Sequence, residues 1–102
     1  MNEIRSIHLC AAVALGAGFF AVGCNRSPQA KEAQYLQRGM AQAAKKDYGR
    51  AILEFRNAVK VMPKDAEPYY QLGLTYRDLG QAELARQAFD RMKHVKQATS
   101  SP

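Results

Sequence analysis

Beyond residue 23 the chain has one thiol, that of Cys24, and one imidazole, that of His94. The cations around His94 disfavour a metal ion and offer no carboxylate partner; they are Arg91, Lys93 and Lys96. Acid–base and nucleophilic catalysis both need a positioned pair of groups, and the sequence supplies no such pair and no glycine-rich phosphate loop. It therefore predicts no catalytic residue, no metal site and no cofactor, and an enzyme is the least favoured class.

Cys24 directly follows a segment that has the composition of an export signal. The amino terminus and Arg5 give a weakly positive start, and the run from Leu9 to Val22 is apolar and rich in Ala and Gly. That run is shorter than the ~20 residues that a membrane-spanning helix needs, and it suits the apolar core of a signal peptide. Residues 1–23 are interpreted as a targeting segment. Since Cys10 lies within it, the remaining chain has one thiol and cannot form a disulfide framework.

The sequence Ala21-Val22-Gly23-Cys24 resembles the lipobox of bacterial lipoproteins. In that family the cysteine sulfur receives a diacylglycerol, the leader is cut before the cysteine, and the new amino terminus is acylated. The resemblance implies that Cys24 is lipidated and that residues 24–31 form a tether. Asn25 stands where the enterobacterial sorting rule places aspartate for inner-membrane retention, which favours the periplasmic side of the outer membrane. The alternatives are an ordinary secretory signal or an uncleaved anchor, with Cys24 incidental.

After the tether, apolar residues recur with the period of a helix, and no stretch alternates with period two. The sequence predicts an all-α fold. Its four helices are expected from near Pro28 to Lys45, from Tyr48 to Met62, from the residue after Asp65 to near Gly80 and from Ala82 to about Lys96, with Ser27, Asp47 and Asp65 as N-caps. Residues 97–102 show no helix signal.

The residue pattern of the first two predicted helices recurs in the last two. The offset between the copies is constant and equals the sequence separation of Tyr35 and Tyr69. Small and aromatic residues agree at four positions in both copies: Tyr35 and Tyr69, Gly39 and Gly73, Ala51 and Ala85, and Phe55 and Phe89. Tyr76 extends the packing face of the second copy. Gly73 and Ala85 are expected to let two helix backbones approach closely, while aromatic side chains fill the space around them.

This period, with Pro63 after the second helix, resembles the tetratricopeptide repeat (TPR) family. The resemblance implies two antiparallel helical hairpins, residues 32–65 and 66–97, followed by a polar tail at 98–102. Arg38 and Gln42 depart from the pattern, because the second copy has Leu72 and Tyr76 there. Gln97 departs as well, since it stands where the first copy has Pro63. The alternative is two unrelated amphipathic hairpins.

In that family the first helix of each repeat lines a concave groove that binds peptides or partner proteins. The resemblance places the groove at Leu36, Met40, Tyr70, Leu74, Arg77 and Asp78, flanked by Ala33, Ala43, Ala44 and Glu67. An apolar stripe with charges at its edge suits an apolar or helical ligand. It does not match the version of the family that clamps a carboxylate. The alternative is that these residues are buried against the lead-in segment, a second copy or a further repeat.

The net charge of +6 comes from cations spread along the chain. They are interpreted as solvated helix faces, with attraction to anionic lipid headgroups as the functional alternative. The export signal argues against nucleic acid as a partner, and nothing indicates a small-molecule substrate.

The sequence predicts a non-enzymatic, lipid-anchored repeat protein that binds a protein partner in envelope assembly, secretion or pilus biogenesis. It resembles pilotin-type lipoproteins and the opening of the large repeat lipoproteins of exosortase systems. The alternative is the N-terminal part of a longer solenoid with no activity of its own. About three repeats are usually needed for stability, so two predict either self-association or marginal folding.

Overall fold

The computed structural model describes residues 26–100, which form four α-helices and no β-strand. The helices are α1 (Pro28–Ala44), α2 (Tyr48–Val61), α3 (Glu67–Asp78) and α4 (Ala82–Ser100). The predicted all-α class is confirmed. The predicted leader, the lipidation of Cys24 and the start of the tether lie outside the described residues.

The helices form two hairpins that stack side by side. Helix α1 packs along α2 and α3 packs along α4, while α3 also packs against α2 and touches α1. Short turns make neighbouring helices antiparallel. The start of α1, the α2–α3 turn and the end of α4 therefore lie at one end of the stack. None of the helices between residues 28 and 100 is both long and apolar enough to cross a bilayer.

Each of the first three helices begins where a side-chain oxygen accepts a backbone N–H that the helix leaves unpaired. The Ser27 hydroxyl accepts from the Ala30 amide at 3.2 Å. The Asp47 carboxylate accepts from Arg50 N at 3.3 Å. Asp65 accepts from the Glu67 amide at 3.2 Å, although α3 begins one residue later than predicted, with Ala66 at the N-cap.

The two hairpin turns have the same geometry although their sequences differ. Gly80 has a φ of 78°, and Lys46, its equivalent in the first repeat, has a φ of 63°. In both turns the next amide reaches back to a carbonyl near the end of the preceding helix, in the manner of a Schellman motif: Asp47 N to Gln42 O at 2.9 Å, and Gln81 N to Tyr76 O at 2.9 Å. The repeat thus extends into the turns, where a lysine holds a conformation that favours glycine.

We expect Lys46→Gly to stabilise the fold by roughly 0.5–1 kcal/mol, because relief of the left-handed strain exceeds the added freedom of the unfolded chain. Lys45 is the matched control because its φ is −83°, so Lys45→Gly adds only that freedom and should destabilise the chain. Urea melts of both variants test this. A shift of the same sign and size for the two would contradict strain at Lys46.

Helix α4 is longer than predicted. The prediction placed its end near Lys96 and a tail without helix at 97–102, but the helix continues through Ser100. No proline or glycine stops it, and two hydroxyls bond to carbonyls of their own helix: Thr99 Oγ1 to Val95 O at 3.1 Å and Ser100 Oγ to Gln97 O at 3.2 Å. The polar composition was therefore a poor guide to the helix end.

The core is built around α2, whose Ala51, Phe55 and Ala58 are fully buried at 0% exposure. The central cluster combines Ala51 and Phe55 with Leu72, Tyr76, Ala85 and Ala88. It joins both hairpins into one core, as expected for stacked repeats whose hairpins cannot bury their apolar faces alone.

The two predicted helix glycines make the same contact in each hairpin. A Cβ at Gly39 would lie 2.6 Å from Phe55 Cδ1, and a Cβ at Gly73 would lie 2.6 Å from Phe89 Cδ1. Each glycine thus makes room for an aromatic ring of the partner helix, rather than simply for a close approach of two backbones. The shared contact supports a true repeat over two unrelated hairpins.

Two of the positions that depart from the repeat pattern, Arg38 and Gln42, lie on one face of α1. The equivalent face of α3 packs on α2. In α3, Tyr76 is buried there and its hydroxyl accepts from Arg56 Nη2 at 3.1 Å, and Leu72 is buried as well. In α1, Arg38 is exposed and Gln42 is half-buried. No described helix covers that face of α1, so polar side chains are accommodated there.

Candidate partner-binding groove

The predicted groove residues occupy one face of α1 and the equivalent face of α3. Leu36 and Met40 are one helical turn apart on α1, and Tyr70 and Leu74 hold the same two positions on α3. Met40 is 44% exposed and Tyr70 is 41% exposed, whereas Leu36 and Leu74 are half-buried. The two helices thus present an apolar stripe that is partly open to solvent.

The stripe continues into a depression beside Tyr70. The ring centroids of Tyr70 and Phe89 are 6.3 Å apart and their planes are tilted by 50°. A cavity of about 240 Å³ lies next to this pair, lined by Ala66, Glu67, Tyr70, Met92 and Lys96. The prediction assigned no groove residue to α4. The spacing of Phe89 and Met92 on one helical face was the available signal.

Two charged side chains near the end of α3 lie at the edge of the predicted stripe. Arg77 Nη2 and Asp78 Oδ1 are 3.6 Å apart, and both side chains are exposed. Such an exposed pair contributes little stability, so both groups can exchange this contact for one with a ligand. Glu67, at the other end of α3, accepts from Gln71 Nε2 at 2.9 Å.

The residues predicted to pack the repeat hold these faces in place. Seven of the nine are buried: Gly39, Ala51, Phe55, Tyr69, Gly73, Tyr76 and Ala85. Tyr69 packs over the preceding turn and its hydroxyl donates to Pro63 O at 3.2 Å. Tyr35 is half-buried because no described segment provides such a turn for it. Phe89 is half-buried because α4 has no described helix on its far side.

Sequence reasoning missed a buried carboxyl group at Glu32. This side chain of α1 lies against the α2–α3 turn, and no residue in the described chain hydrogen-bonds to its Oε2. Burial raises the pKa of Glu32 to about 7, with hydrogen bonding to Asp65 and the negative charges of Asp65 and Glu67 adding to the shift. Its neighbours come from a turn that is distant in sequence, so no local pattern marks it.

We expect stability to fall as pH rises from about 4.5 to 7. The pKa of Glu32 is above its ordinary value of 4.5. Between these pH values the folded state therefore binds more protons than the unfolded state. Above this range the loss of folding stability caused by the buried carboxylate has reached its full size. Glu32→Gln should gain on the order of 1–3 kcal/mol at pH 8 and nothing at pH 4.

Urea unfolding across this pH range measures the effect. Asp90→Asn, which neutralises an exposed carboxylate on α4, is the control and should retain the parental pH dependence. A Glu32→Gln profile parallel to the parent would show that Glu32 is not the responsible group.

Among residues 26–100, no cluster of three or more His, Cys, Asp or Glu side chains is placed to hold a metal ion. What the described surface offers instead is an apolar stripe with charged edges. This arrangement can bind a polypeptide surface by burying apolar area.

The fold and this surface place the chain in a class of proteins that are built from helical hairpins stacked side by side. Residues 39–80 match the TPR repeat family, so the chain contains a TPR repeat. The matched segment spans α2 and α3 entirely, which are the second helix of one hairpin and the first helix of the next. TPR repeats typically mediate the binding of protein partners. No curated protein and no solved structure was found to match this chain.

Proposed function

We propose that this chain is a non-enzymatic protein that binds a protein partner in the groove of α1 and α3 while a lipid on Cys24 holds it at a membrane. The observation that carries the binding role is the exposure of one large apolar side chain on the groove face of each repeat, Met40 at 44% and Tyr70 at 41%. Packing a partner over them would remove apolar surface from water, a gain of about 25 cal/mol per Å² before the costs of association.

The shape of the stripe favours one kind of ligand. Its apolar side chains lie one helical turn apart on two adjacent helices, which matches an amphipathic helix that presents anchors at i, i+3 or i+4 and i+7. Arg77 and Asp78 at the edge offer one charge of each sign, so they fix the orientation of the ligand more than its affinity.

The anchor rests on the sequence around Gly23-Cys24. Three acyl chains would hold the protein firmly, whereas a single chain binds a bilayer only marginally. With Asn25 after the cysteine, we place the protein on the periplasmic side of the outer membrane. Envelope assembly, secretion or pilus biogenesis are the settings in which an anchored partner-binding protein would act.

Site-specific photo-crosslinking in cells tests the groove. Benzoylphenylalanine in place of Tyr70 should give a discrete adduct with one partner, while the same group in place of Leu53 should give none. Leu53 is the matched control, since it is 59% exposed but lies on α2. Equal crosslinking from both positions would contradict the groove, and an adduct with the mass of two chains would identify a second copy as the partner.

A further inference from the structure

A second depression lies at the end of the stack, away from the groove residues. It measures about 300 Å³ and is lined by the α2–α3 turn, by Tyr69 and by the last three turns of α4: Pro63, Lys64, Tyr69, Arg91, His94, Val95, Ala98 and Thr99. Its lining includes two permanent cations and an imidazole, but no carboxylate.

The cations of this pocket have no acidic partner among the described residues. The ion pairs of residues 26–100 involve Arg50, Arg77 and Arg86, and neither Lys64 nor Arg91 takes part in one. The Arg91 guanidinium instead lies 5.9 Å from the ring centroid of Tyr69, a cation–π contact that keeps it beside the pocket. Asp65 and Glu67 lie near this end but do not line the pocket.

The rest of the lining is apolar. Pro63, Val95 and Ala98 form one wall, and the Thr99 hydroxyl is engaged with carbonyls of its own helix. An anionic group attached to an apolar or weakly polar body therefore fits better than a bare, strongly hydrated anion. Uncompensated Lys and Arg beside a concave surface are suited to phosphate oxygens.

The position of the pocket indicates the source of that phosphate. The α2–α3 turn and the last turns of α4 line it, and the start of α1 lies at the same end, since Glu32 contacts the turn at Asp65. Pro28, the first residue of α1, is the fourth residue after Cys24. A chain of that length spans at most about 14 Å in any conformation. Lipid on Cys24 would thus hold this end of the stack at the headgroup layer.

We propose that the pocket of Lys64, Arg91 and His94 binds the phosphate of an anionic phospholipid headgroup and so fixes the orientation of the repeats on the membrane. The inference rests on the proposed lipid anchor for its choice of ligand. Cations near an anionic surface are attracted to its headgroups, and two of them on one side can orient an already anchored protein. The groove would then be presented at a constant angle to the bilayer.

Thermal unfolding of the full chain in neutral detergent tests the pocket, with phosphatidylglycerol or phosphatidylcholine added to the micelles. Phosphatidylglycerol should raise the melting temperature and phosphatidylcholine should not, because a ligand that binds only the folded state stabilises it. Lys64→Gln and Arg91→Gln should each lose most of this increase. Arg38→Gln is the matched control, since it removes one exposed cation from α1 and should retain the increase.

Three outcomes would overturn the proposal. If Arg38→Gln lost as much of the increase in melting temperature, the increase would depend on net charge and not on the pocket. An equal increase with soluble glycerol phosphate would show a site for free phosphate esters. An increase with a short acidic peptide, without any response to phosphatidylglycerol, would show a peptide site.

A failure of the pocket proposal can be distinguished from a failure of the proposed function. The micelle experiment does not require Cys24 to be lipidated, whereas palmitate labelling tests that step alone. Crosslinking from position 70 tests the groove independently of both.

Discussion

Gly39→Ala is expected to destabilise the chain by about 2–3 kcal/mol, although alanine is ordinarily the better helix former. The new Cβ would lie 2.6 Å from Phe55 Cδ1. The Phe55 ring is fully buried, so it has no open space to move into. Either α1 must move away from α2 or the ring must leave its rotamer, and both disturb the centre of the core.

Gly73 makes the same contact with Phe89, but the expected cost of alanine is smaller, roughly 0–1 kcal/mol. Phe89 is half-buried, whereas Phe55 is fully enclosed, so the Phe89 ring has room to turn aside. Gly73→Leu adds more volume than that movement can accommodate, and it should cost about 1–3 kcal/mol.

Gly49→Ala is the control for both glycines. Gly49 is exposed in the first turn of α2, and a Cβ there meets nothing within 4 Å. Its helix propensity should therefore add up to about 1 kcal/mol of stability. Urea melts rank the variants, and Phe55→Leu combined with Gly39→Ala should recover part of the loss. If Gly39→Ala melts like Gly49→Ala, the ring is not held as described.

The sequence was sufficient to predict the repeat and the faces of its helices. Gly39 has to be small because the Phe55 ring packs against it, and Gly73 and Phe89 make the same contact. Such a contact requires a small and an aromatic residue at a fixed spacing, which can be recognised in the sequence. Turns and caps marked by Ser27, Asp47 and Gly80 were found for the same reason, since each satisfies a local backbone requirement.

Features that depend on distant segments were not predicted. Glu32 reads as an ordinary helix-surface residue until the α2–α3 turn covers it. The cationic pocket combines Lys64 of that turn with Arg91 and His94 of the last helix. Neither feature leaves a periodic signal. Lys46 was missed for another reason, because its left-handed conformation is imposed by the turn against its own preference.

The outer face of α4 bears on the hypothesis of a longer solenoid. On α2 the half-buried Ile52 and Val59 pack against the core that α3 helps to form. The equivalent positions of the second repeat are Arg86 and Lys93, both exposed, with Arg86 bonded to Glu83 at 2.9 Å. A helix stacked on α4 as α3 is stacked on α2 would cover these charges, and burying charge is costly even where it is paired. That hypothesis therefore requires a different junction after α4.

Cys24→Ala is expected to abolish lipid labelling of the chain and to release it from membranes. Cys24 lies outside the described residues, and this prediction rests on the Gly23-Cys24 pair after a short apolar run. Thioether formation needs the thiol, and without the lipid no other strong anchor is predicted for the mature chain. The effect should be all or none in cells fed radiolabelled palmitate and fractionated afterwards.

Cys10→Ala is the matched control, because Cys10 is the other cysteine of the chain and lies within the predicted leader. It should be labelled and retained like the parent. Palmitate uptake by Cys24→Ala together with continued membrane retention would show that Cys24 is not the lipidated residue. Membrane retention of both the parent and Cys24→Ala without any labelling would show an uncleaved anchor. Release of the parent chain without labelling would show an ordinary secretory signal. If lipidation holds, Asn25→Asp should move the protein to the inner membrane in an enterobacterial host, because the residue after the lipidated cysteine sets the destination there.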